Sequence, residues 1–129
     1  YRYNNYNYPI EIRNRANRPT CIVWGYNGLY PVAKIENCSY EDFVAILYPG
    51  ILSRPFDAGL PSYYQYSIYQ RNDMEMTTYE YIPNVGVSCI QDPAERCTYY
   101  NYDRDGKLIL VADDKLHLVK AYKYNVKNN

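Results

Sequence analysis

"PSYYQYSIYQRNDMEMTTYEYI", Pro61 to Ile82, is the stretch on which the fold turns. Aromatic, β-branched and thioether residues recur in it at every second position, the period that puts alternate side chains on opposite faces of a strand. Tyr64, Tyr66 and Ile68 would share one face, with Tyr63, Gln65, Ser67 and Tyr69 on the other. In the second half, Met74, Met76, Thr78 and Glu80 alternate with Glu75, Thr77, Tyr79 and Tyr81. "QRND" between the two runs has turn composition, so the stretch reads as a β-hairpin.

The same pattern continues outward on both sides. "VGVSCI", "CTYYNYD", "KLILVA" and "LHLVKAYKYNV" read as strands of a meander that turns at "DRDG" and "ADDK". Upstream, "CIVW" and "LYPVAKI" are short strands about the turn residues "GYNG". One helix interrupts them, over residues 40–47 of "SYEDFVAILYPG". Ser39 caps it, Glu41 and Asp42 suit its positive end, Phe43, Ile46 and Leu47 form its apolar face, and Pro49-Gly50 ends it. "GILSRPFDAGLPS" follows as an ordered loop. The first twenty residues are polar and rich in Asn and Arg, and read as an arm in which "YPIEI" could lie down as an edge strand. The expected architecture is a mainly β, small antiparallel barrel or sandwich over residues 21–129, with one short helix and the 1–20 arm.

Cys21, Cys38, Cys89 and Cys97 form an even set in a chain of 129 residues, which favours disulfides. Local pairing, Cys21 with Cys38 and Cys89 with Cys97, is the favoured connectivity of the three available. A zinc site is the rival use, but no C-x-x-C pair occurs and the chain has a single histidine. The start at Tyr1 fits a mature secreted chain, and "NCS" makes Asn37 an N-glycosylation acceptor. The 14 basic and 14 acidic side chains cancel, so no overall field draws the protein to nucleic acid, and no run of about 18 apolar residues is present to span a membrane. The lysines from Lys115 onward read as solvated charges that keep an edge strand from aggregating.

Nineteen tyrosines are the strongest compositional signal. Part of them must supply core, because leucine and phenylalanine are scarce; rings on both faces of "YYQYSIY" leave a surplus. Exposed tyrosine offers rigid, amphipathic contact area at low entropic cost. Tyr63, Tyr64, Tyr66, Tyr69, Tyr79 and Tyr81 are therefore the expected docking platform.

Motifs for catalysis are missing. There is no G-x-S-x-G and no phosphate loop, and His117 lies alone in "KLHLVK". The carboxylate pairs Glu41-Asp42 and Asp113-Asp114 suit capping and turn chemistry. "NYDRDG" echoes a calcium loop through Asp103 and Asp105; the twelfth position is Ala112 and Asp-Gly between apolar strands makes a hairpin turn, with a weak surface calcium site at Asp103 and Asp105 as the alternative. The expectation is a secreted, non-enzymatic binding module without cofactor, docking a protein, a glycan or a small apolar ligand. The alternative is a structural extracellular protein that self-associates or cross-links through its tyrosines.

Overall fold

A computed structural model describes residues 2–3, 7–46, 56, 58–115 and 117–123. The protein is mainly β and antiparallel, and divides into two compact units, 1–79 and 80–129. In each unit the strand order is the chain order.

The first unit begins with β1 (Arg2–Tyr3), β2 (Pro9–Arg13), β3 (Pro19–Gly25) and β4 (Tyr30–Glu36). α1 (Tyr40–Ile46) and α2 (Ser62–Tyr69) follow, and then β5 (Glu75–Ile82), whose last residues belong to the second unit. Register puts Glu11 opposite Cys21, Cys21 opposite Ile35 and Ile35 opposite Met76; Val23 lies opposite Ala33, which faces Thr78. All of these are buried, so one face of the sheet is core. Phe43 and Ile68, from the helices, are buried as deeply.

α1 covers the length read from the sequence, and its start is well satisfied. Asp42 N–H donates to the Ser39 hydroxyl at 3.1 Å, and Ser39 N–H donates back to the Asp42 carboxylate at 3.3 Å. Leu47 lies outside the described residues, as does most of the 50–62 loop.

Residues 62–69 correct the sequence reading. "SYYQYSIY" is helix α2, not the first strand of a hairpin, so the described residues hold two short α-helices and "QRND" links a helix to β5. The physical reason lies in spacing: Leu60, Tyr64 and Ile68 recur every fourth residue, and Leu60 and Ile68 are buried. Tyr64 and Gln65 N–H groups donate to the Pro61 carbonyl at 3.0 and 3.2 Å, and the Gln65 side chain caps Leu60 O at 2.7 Å. Packing of that stripe overrides the strand preference of tyrosine.

The second unit contains the end of β5, then β6 (Gly86–Gln91), β7 (Cys97–Tyr102), β8 (Leu108–Ala112) and β9 (Leu118–Ala121). Its three turns from β6 onward share one design. Asp92, Asp103 and Asp113 each donate their N–H to the carbonyl four residues on, at 2.9 to 3.0 Å. Each also accepts, on Oδ1, the N–H groups two and four residues on. Asn14 builds the same turn between β2 and β3. This is a type I turn closed by a residue at positive φ: Asn17 at 62°, Glu95 at 64° and Gly106 at 80°.

Two further expectations need correction. Among the described residues the strands form open meanders in place of the expected barrel or sandwich. All four cysteines are free thiols rather than disulfides.

Candidate binding surface

The tyrosines fall into two groups, and most of those with a described environment have structural work. Tyr8 stacks on Trp24 with ring centroids 4.9 Å apart, and Trp24 Nε1–H donates to Pro9 O at 2.8 Å. Tyr26 meets Tyr30 edge-on at 5.6 Å. The Tyr102 hydroxyl donates to Val87 O at 2.7 Å and lies where a Gly86 side chain would begin, so that glycine admits the ring. Tyr40 carries the Arg2 guanidinium 4.9 Å above its ring, and Arg2 also pairs with Glu41. Glu41 is held below the usual carboxylate range by that guanidinium.

The six tyrosines expected to form one platform are not brought onto one sheet face. Tyr63, Tyr64, Tyr66 and Tyr69 belong to α2; the side chain of Tyr63 lies outside the described structure. Tyr64 packs its ring 6.2 Å from Phe56, and Tyr69 is half-buried. Tyr66, on the solvent side of the helix, is 66% exposed. Tyr79 and Tyr81 are half-buried positions of β5 that point to one side of the strand, the first in one unit and the second in the other.

Two grooves open on the first unit. A polar one of about 490 Å³ runs between the Asn14–Arg18 turn, the Glu36-Asn37 corner and the 72–75 segment. Asn37 is exposed there at φ 59°, and its Nδ2 donates to Asp73 O at 2.8 Å. A mostly apolar one of about 370 Å³ lies along α1, lined by Arg2, Tyr40, Glu41, Val44 and Ala45. Beneath α1 is a residue that sequence reading left in the arm. Glu11 is buried, accepting Tyr40 N–H at 2.8 Å and Arg13 Nε–H at 3.0 Å, and it anchors the helix to the sheet. Alternation in "PIEIR" marks the strand but puts Glu11 on the face away from Ile10 and Ile12, so the burial of both Ile10 and Glu11 was not legible from it.

The remaining candidates occupy turns. Asp103 Oδ1 accepts the N–H groups of Asp105 and Lys107, both at 2.9 Å, so this carboxylate closes a hairpin. His117 is exposed at the end of the Asp113 turn, its Nδ1 3.7 Å from the Asp113 carboxylate. Among the described residues no group of three or more His, Cys, Asp or Glu side chains is placed to hold a metal ion, and no described helix is long and apolar enough to cross a membrane. The chain matches no protein-family model, no curated protein and no solved structure.

Proposed function

We propose that the protein is a secreted, non-enzymatic binding domain that docks an extracellular protein, glycan or small apolar ligand through exposed tyrosine. Tyr66 carries this reading. It stands 66% exposed on a helix whose opposite side is anchored by Ile68 at 1%, so the ring is presented from a fixed base. A rigid aromatic held out in this way loses little entropy when it is covered. Tyr69, three residues on in the same helix, would extend the contact.

A second reading, self-association of a structural extracellular protein, has its own support in β9. All four of its residues are exposed, including Leu118 at 61% and Val119 at 63%, which alternate to opposite faces of the strand.

Native and denaturing mass spectrometry of protein from its natural source separates the two. Mass present only in the native spectrum, and lost with Tyr66→Ser, supports docking. Multiples of the chain mass that grow with concentration and persist in Tyr66→Ser support assembly. A bare monomer at every concentration rules out both.

A further inference from the structure

The two cysteine pairs differ in a way that assigns them different chemistry. Cys21 and Cys38 are 1% and 0% exposed. Cys38 N–H donates to Pro19 O at 3.2 Å, which fixes the end of β4 beside the start of β3. This pair belongs to the buried face of the first unit. Reaching it requires that unit to open.

Cys89 and Cys97 are on β6 and β7 of the second unit and are only half-buried. Register places Cys89 opposite Tyr99 and Gln91 opposite Cys97, so the two cysteines are diagonal neighbours on one face of the sheet. Tyr99, directly opposite Cys89 and two residues on from Cys97 along β7, shares that face with them. Burial and the neighbouring sulfur push the Cys89 thiol up to about 12, so its thiolate is scarce at neutral pH and exchange is slow without being blocked. Diagonal positions in an antiparallel pair have Cα atoms roughly 7–8 Å apart, whereas disulfides usually span about 4.4–6.8 Å. Closing this pair draws the two strands together against their ladder. A strained and accessible disulfide is the more readily reduced kind.

We propose that Cys89 and Cys97 form a reversible thiol–disulfide site open to small extracellular thiols and disulfides, while Cys21 and Cys38 are closed to them in the folded protein. One thiolate of the accessible pair attacks a sulfur of glutathione disulfide, forming a mixed disulfide and releasing one glutathione thiolate. The second protein thiolate then attacks the protein sulfur of that mixed disulfide and displaces the other glutathione. Two protein thiols are oxidised, one glutathione disulfide is reduced, and the two protons end on the two glutathione thiols. This goes beyond the proposed function and does not depend on what Tyr66 docks.

The test equilibrates the folded, full chain in buffers of graded reduced-to-oxidised glutathione, quenches with an alkylating agent, and maps the four cysteines by mass. The expected result is interconversion of Cys89 and Cys97 between two alkylated thiols and one linked pair lighter by two hydrogens. Cys21 and Cys38 should keep one state across the series and react at least about tenfold more slowly until denaturant is added. In Cys97→Ser, Cys89 should be trapped as a glutathione adduct. The proposal is overturned if both pairs exchange at the same ratio and rate. It is equally overturned if Cys89 and Cys97 stay unlinked throughout, or if stable glutathione adducts replace the link in the unmutated chain.

Discussion

Positive φ angles explain much of the chain's asparagine. Asn7, Asn17, Asn27, Asn37 and Asn84 all lie between 58° and 64°, a region that asparagine tolerates better than most residues. Glu95 occupies the same region at 64° without that tolerance, in a turn whose counterpart residue is Gly106. The two positions therefore make a matched pair of substitutions. Glu95→Gly should stabilise the protein by roughly 1 kcal/mol, and Gly106→Ala should destabilise it by about 1–2 kcal/mol. A Cβ at Gly106 would come no closer than 3.9 Å to Val85, so conformation and not crowding sets the loss. Urea denaturation of both variants checks the pair; a Glu95→Gly protein weaker than its parent would contradict the turn assignment. Asp-Gly at 105–106 made its turn legible in the sequence, whereas "DPAER" lacked the glycine that marks such a turn.

At the scale of elements, acid should weaken the hairpin turns at Asp92 and Asp113. Backbone N–H groups and Arg96 hold Asp92 below the ordinary carboxylate value, and the His117 and Lys115 N–H groups and charges do the same for Asp113. A carboxylate with a depressed folded pKa contributes stability above its unfolded value, near 3.8, and loses it as pH falls through the folded one. The fall in urea midpoint between about pH 5 and pH 2 should therefore be smaller in Asp92→Asn/Asp113→Asn, because asparagine keeps the turn's acceptor and does not titrate. An unchanged fall would assign the acid sensitivity to other groups. α2 is the element the sequence concealed. Its tyrosines satisfy a two-residue period and its anchors a four-residue one, and only burial decides between them. Ile68→Ala should cost about 3 kcal/mol, while Tyr66→Ala should leave stability within about 0.5 kcal/mol. Thermal unfolding of the two variants would separate the helix from a strand, in which both residues would share one face.

For the whole molecule, strands were easier to read than layers. β3 to β8 lie close to their sequence-derived positions because alternation and turn residues are local signals, while β9 covers only Leu118–Ala121 of the longer run read there. Which face is covered is not local, and the barrel expectation failed there. Buried apolar residues crowd the first unit, from Ile10 through Val23, Ile35, Phe43 and Ile68 to Met76. In the second unit Val111 and Ala112 alone among the described residues reach that depth. Every residue of β6 is half-buried, and β7 differs only at Asn101. Strands without a deep core open locally at lower free energy, since less apolar surface is exposed when they separate. Hydrogen exchange on the reduced, folded chain should accordingly show β3 and β4 as its most protected segments, with β6 to β9 exchanging by a lower-energy opening. Oxidation of Cys89 and Cys97 should raise protection across β6 and β7 and leave β3 and β4 unchanged. Equal protection of both units before oxidation would mean that the second unit is held by more than its own ladder and turns, and the partition of stability argued from burial would be wrong.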